Sequence, residues 1–201
     1  MRPSAFILLL PALALALETA DIIALIAPSS TSCAPSLPDC RTAPQIAPYI
    51  DCAISSYGLC SPPEQAAVLA LMAFESAEFK YKHNVFPGRP GQGTANMQMP
   101  NYNLLYAKSL EPVAPHVAQY ESVDGLSDDQ LNHILGYLTP DMFNFASGAW
   151  FLTTQCDGSV RGALIDSPDD GFRAYMQCVG VEVSQDRLAY WQRAKQAFNI
   201  C

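Results

Sequence analysis

Helix-start signals recur along this chain, each followed by apolar residues spaced three and four apart, and no stretch alternates apolar and polar residues as a half-buried strand would. In Ser61-Pro62-Pro63-Glu64 and Ser127-Asp128-Asp129-Gln130 a hydroxyl and the side chain three residues on can cap each other's backbone amides, and proline suits a first turn. Thr42 with Pro44, Thr139-Pro140-Asp141, Ser167-Pro168-Asp169-Asp170 and Ser184 mark further starts. The faces they open include Ile46, Ile50, Ala53, Ile54 and Tyr57, then Leu131, Ile134, Leu135 and Leu138, and finally Leu188, Trp191, Ala194 and Phe198. Asn101 can cap a short helix through Tyr106, and Glu111-Pro112 can start another that reaches Tyr120. The run from Phe143 to Cys156 is the most apolar and is expected to be the central, buried helix. The pattern predicts an all-α domain, with room for a small hairpin in the irregular stretch from Lys82 to Met97.

On the helix opened by Ser61, residues Val68, Leu71, Met72, Glu75 and Phe79 form one stripe, so a carboxylate occupies a place among apolar neighbours. Burial disfavours the charged form of a carboxyl, and the position therefore suits a group that delivers a proton. A plainer reading is a core-edge Glu paired with an arginine such as Arg89. From Lys80 to Pro100 follow three prolines and three glycines in a polar stretch long enough to be a binding loop around the helix end. That loop favours the functional reading. Glu78, one turn on from Glu75, reads as a solvated side chain.

The chain opens with Arg2 and an apolar run from Ala5 to Ala16, which reads as a secretory signal over residues 1–16, cut after Ala16 or, as second choice, after Ala20. Residues 17–38 are rich in Ala, Pro and Ser and are expected to form a poorly ordered leader or a strap, with the compact domain spanning 39–201. No run is long enough for a membrane span. Seven cysteines without a Cys-x-x-Cys spacing point to an oxidising, extracellular setting, and three disulfides with one thiol left over is the simplest count. Cys156 and Cys178 are expected to pair, each near the end of a helix, with a loop and one helix between them. Cys33 or Cys201 is expected to be the odd cysteine, unless those two pair with each other. A net charge of −8, with eleven Lys and Arg spread without a cluster, speaks against nucleic acid as a partner. The three histidines, His83, His116 and His133, lack metal-ligand spacing, so no metal and no cofactor are expected.

Four landmarks stand in order: Glu75-Ser76, Gly93 with Met97-Gln98, Asn144 with Gly148, Phe151 and Leu152, and Ala174-Tyr175 with Gly180. Together they resemble the lysozyme-like superfamily, in its soluble lytic transglycosylase and goose-type lysozyme branch. There a Glu-Ser pair, a Gly-Leu-Met-Gln turn, an Asn-Ile-x-x-Gly-x-x-Tyr-Leu helix and an Ala-Tyr-Asn-x-Gly segment line one cleft. The resemblance runs from about Pro62 to Ala197. It departs at the turn, which is two residues longer between Gly93 and Met97, and at Met176, where the family has Asn.

The resemblance implies that Glu75 is a general acid protonating a glycosidic oxygen. It also implies that Gln98 hydrogen-bonds near the bond being cut and that Tyr175 steadies Glu75 or the sugar. Asn96, Met97, His83 and Asn144 complete the implied substrate-binding set. The implied activity is a secreted glycosidase, active as a monomer on β-1,4-linked N-acetylhexosamine polymers, with peptidoglycan ahead of chitin or chitosan. A single Glu suffices in this branch, because the substrate's acetamido group or a positioned water takes the second carboxylate's role. A sugar-binding or effector protein of the same fold without turnover is the alternative, since function lives in the site and not in the fold.

Overall fold

A computed structural model describes residues 17–200. The signal-like residues 1–16 and Cys201 lie outside the described residues. The chain is all-α and disulfide-bonded. The helices are α1 (Thr19–Ile26), α2 (Ala43–Ser56), α3 (Pro62–Glu75), α4 (Pro100–Ser109), α5 (Ala114–Val117) and α6 (Asp128–Gly136). They continue with α7 (Asp141–Asn144), α8 (Ser147–Thr154), α9 (Gly158–Asp166), α10 (Pro168–Val179) and α11 (Gln185–Ala197). The hairpin expected between Lys82 and Met97 reduces to isolated antiparallel bridges, His83 with Gly93 and Gly93 with Gln98.

The central helix is α3. Its capping box forms as the sequence indicates, with Ser61 and Glu64 bonding reciprocally, and Ala66 through Ala73 are buried on every side. Helices α1, α8, α9, α10 and α11 pack around it. Close approach by α8 depends on Gly148, where a Cβ would lie 2.6 Å from Met72 Sδ. The apolar run beginning at Phe143 is therefore a wall of the core, and it is broken in two. Ser147 Oγ donates to the Asn144 carbonyl at 2.9 Å, a local bond that competes with a continuous helix. Two helices, α9 and α10, lie between Cys156 and Cys178 where one was expected; they touch at Gly171, whose Cβ would fall 2.3 Å from Leu164 backbone atoms.

Of the two forms expected for residues 17–38, the structure has the ordered strap and not the poorly ordered leader. Residues 17–38 are not a loose tail: α1 packs on α2 and α11, Ile23 and Ile26 are fully buried, and Thr19 Oγ1 donates to Asp51 at 2.6 Å. A low-charge run of Ile and Ala suits burial as well as it suits disorder, and here tertiary contacts decide. The cysteine count is corrected too. Among the described residues, Cys33 bonds to Cys40, seven residues on, across a tight turn; Cys156 bonds to Cys178; and Cys52 and Cys60 are free and exposed.

The loop after α3 is tied to the core by Lys82, only 6% exposed, whose Nζ donates to the Thr139 carbonyl at 2.9 Å and lies 2.5 Å from Asp141 Oδ1. Arg41 Nε reaches the other Asp141 oxygen at 2.8 Å. Burial alone would push the Asp141 carboxyl up, but the bonds and charges of Lys82 and Arg41 outweigh it and hold the group below its ordinary range. A depressed folded-state pKa contributes stability above the unfolded value that is lost as pH falls through the folded one. Asp141→Asn should therefore lower Tm most at neutral pH, and the gap to the parent should close as the buffer is taken below about pH 4. Thermal melts of both proteins across pH 7 to 3 measure this.

Candidate active site

Glu75 is the last residue of α3 and lies where two lobes of an open groove meet. One lobe, about 250 Å³, is walled by Asn96, Gln98, Tyr102, Phe151 and the segment Val179–Val181, with Arg89 at its rim. The other, about 340 Å³, is walled by Tyr81, His83, Asn84, Val85 and Phe86. Gln92 and Met97 border both. The carboxylate is thus flanked by space on either side.

The chain leaves α3 through an uncommon piece of backbone. Ala77, Glu78 and Phe79 have φ of 52°, 61° and 64°, a left-handed turn that costs L-residues about 1–2 kcal/mol each. The stripe expected to continue helically to Phe79 ends at Glu75, yet Phe79 is still buried, its ring edge-on to Phe145 at 6.1 Å. Internal bonds hold the turn: Ser76 Oγ donates to the Met72 carbonyl and accepts from Phe79 N, and the Ser76 carbonyl accepts from Lys80 and Tyr81. This reversal sends residues 80–98 back along the groove.

Glu75 does have an arginine partner, but it is Arg187 from α11. Nη2 donates to Glu75 Oε1 at 2.6 Å, and the guanidinium lies 4.4 Å from the centre of the Phe74 ring. Arg89, the candidate from sequence, instead reaches the Met99 sulfur at 3.2 Å. Among the described residues, Glu75 Oε2 has no hydrogen-bond partner.

The remaining predicted residues divide into groove and wall. Asn96 and Gln98 are 3% and 5% exposed; neither side-chain amide atom of Asn96 is paired, and Gln98 Nε2 donates to Asn103 Oδ1 at 2.8 Å while Gln98 Oε1 is unpaired. Met97 lies between the lobes. His83 lines the outer lobe, with Nδ1 2.8 Å from Asp39 Oδ2. Tyr175 and Asn144 are different: both are fully buried and neither lines the groove. Burial, and after it the charge of Glu75, push the Tyr175 hydroxyl well above its ordinary range, and the hydroxyl has no partner. Tyr175 therefore stands behind Glu75, and a direct contact with sugar is not what its position offers.

Sequence reasoning missed Arg187, Phe86 and the role of Glu78. Arg187 is separated from Glu75 by 112 residues, and one of several basic residues in a polar helix carries no signal of such a contact. Phe86 is 91% exposed on a loop fixed by Asn84, whose Oδ1 accepts from Gly88 N at 2.9 Å and whose Nδ2 donates to Gln92 at 2.7 Å. Glu78 is not solvated: its carboxylate is held by Ser29, Tyr190 and Arg193.

Fold and site together define an all-α, disulfide-bonded domain with an open groove centred on one half-buried carboxylate. No protein-family profile matches the chain, and no solved structure matches it. It is 56% identical over 157 residues to part of a Fusarium oxysporum (strain Fo5176) protein named "Bifunctional dioxygenase (DOX)-epoxy alcohol synthase (EAS)". The match takes in 78% of this chain and 12% of that protein, so the chain spans a small part of the length of this curated relative.

Proposed function

We propose that the chain is a secreted glycosidase of the lysozyme or lytic transglycosylase type, cleaving β-1,4 bonds of N-acetylhexosamine polymers, with peptidoglycan ahead of chitin or chitosan. The observation that carries this reading is the carboxylate of Glu75 at the junction of two groove lobes, with Oε1 bound by Arg187 and Oε2 free of hydrogen-bond partners among the described residues. A polymer lying along the groove passes Glu75 with sugars on both sides. Oε2 donates its proton to the glycosidic oxygen; the C–O bond breaks with its electron pair on that oxygen, and positive charge builds at the anomeric carbon. Among the described residues, Glu75 is the one carboxylate lining either lobe, so the electron pair that quenches this charge comes from the substrate's acetamido oxygen, a water or a sugar hydroxyl. Asn96 and Gln98 bring amide side chains to the wall of the lobe that also holds Tyr102 and Phe151. Disulfides among the described residues agree with export.

Phe86 extends the outer lobe with an exposed ring that can stack on the apolar face of a sugar. Phe86→Ala should raise KM about three- to tenfold with kcat little changed, the loss of about 1 kcal/mol of stacking. Steady-state kinetics on oligosaccharides of increasing length read this directly.

A sugar-binding or effector protein of the same fold is the second reading, and it is favoured by the turn two residues longer between Gly93 and Met97 and by Met176 standing where the family has Asn. The relative's name is that of an enzyme, which supports a catalytic role in general and leaves the reaction open. Mass spectrometry of products after incubation with peptidoglycan and with chitin oligomers separates these readings. Cleaved oligosaccharides support the glycosidase, and tight binding without products supports the second reading.

A further inference from the structure

The left-handed turn after Glu75 competes with a simpler conformation. The stripe Val68, Leu71, Met72, Glu75, Phe79 has the spacing to carry α3 through one more right-handed turn, and that continuation would redirect the groove loop that begins at Lys80. Backbone in the left-handed region persists at L-residues only where the surroundings over-determine it. Here the middle residue of the turn, Glu78, is gripped from two elements remote in sequence. Glu78 Oε2 accepts from Ser29 N at 2.6 Å and from Ser29 Oγ, in the single turn of 3₁₀ helix at Pro28–Thr31 that follows α1. Glu78 Oε1 accepts from Tyr190 Oη on α11 at 2.9 Å, with Arg193 Nη2 at 3.8 Å. Tyr190 lies one turn beyond Arg187 on α11, and its ring meets Phe74 edge-on at 5.7 Å. One helix therefore holds Glu75 and Glu78, and the N-terminal strap closes on the same carboxylate from the other side.

We infer that Ser29, Glu78 and Tyr190 form a clamp that positions Glu75. The clamp holds the left-handed turn, and the turn fixes both the end of α3 and the departure of the groove loop. These are positioning residues: none of them lines the groove, and they act through Glu75 and residues 80–98. The N-terminal strap is accordingly part of the working site, although it contributes no side chain to the groove. The inference rests on the glycosidase reading for its kinetic consequence and stands apart from it for its structural one.

The experiment compares Glu78→Ala with Glu78→Gly in the mature protein. Both remove the carboxylate, but glycine adopts positive φ freely, so it restores the turn without the clamp. Glu78→Ala should lower kcat on oligosaccharides at least tenfold with KM within about twofold and should speed amide hydrogen exchange at Phe79, Lys80 and Tyr81; Glu78→Gly should recover most of both. A role confined to overall stability predicts a lower Tm for Glu78→Ala with kcat per folded molecule, and exchange at these amides relative to the rest of the chain, as in the parent, and that result overturns the clamp. Should Glu78→Ala fail to fold, Ser29→Ala and Tyr190→Phe each remove one bond and should raise exchange at the same amides more weakly. Unchanged exchange in both also overturns it. If the parent cleaves neither peptidoglycan nor chitin oligomers, the glycosidase reading fails, and the exchange comparison still decides the clamp.

Discussion

Glu75→Gln should lower turnover by roughly 10² to 10⁴, the usual loss when a general acid is removed, with oligosaccharide binding retained. Glutamine keeps the shape of the side chain, and its carbonyl oxygen can still accept from Arg187 in place of Glu75 Oε1. What glutamine lacks is a proton that it can transfer. Gln98→Ala and Tyr175→Phe should cost much less, because Gln98 presents a hydrogen-bonding group and Tyr175 stands behind the carboxylate without touching the groove. Kinetics and calorimetric titration on the same oligosaccharide series separate the two effects. Equal turnover by Glu75→Gln and the parent on every substrate the parent cleaves would remove Glu75 from the mechanism.

Breaking the Cys156–Cys178 bond should destabilise the protein by about 3 kcal/mol, the loop-closure entropy expected for a sequence separation of 22. The bond joins the residues just after α8 to the last turn of α10, with α9 folded between them. Both flanking helices bear on the site: α8 contributes Phe151 to the groove wall, and α10 carries Tyr175 behind Glu75. A Cys156→Ser, Cys178→Ser double variant, melted chemically beside the parent, should show a lower midpoint with an earlier loss of the near-ultraviolet signal. An unchanged midpoint would show that the bond contributes nothing to the equilibrium.

The features legible in the sequence are those determined within one turn of helix. The boxes at Ser61 and Ser127 are local chemistry and form as written, and Ser184 accepts from Arg187 N. The end of α3 was not legible from its stripe, because periodicity carries on to Phe79 while the backbone reverses at residues 77–79, where Ser76 bonds locally and Ser29, Tyr190 and Arg193 meet the Glu78 carboxylate. The same holds for the strap: alanines, prolines and serines carry no signal of order, and only burial of Ile23 and Ile26 against other helices supplies it. The helix break at Ser147 comes from a hydroxyl competing for a carbonyl, a choice that composition leaves open. Around Glu75, the groove loop was marked by its glycines and prolines, whereas the arginine that binds the carboxylate comes from 112 residues away.

The first and last helices of the described chain, α1 and α11, pack against each other. Order at one end of the described residues therefore depends on the other, because a chain in which α11 has not yet folded leaves part of the α1 surface, beside the buried Ile23 and Ile26, open to water.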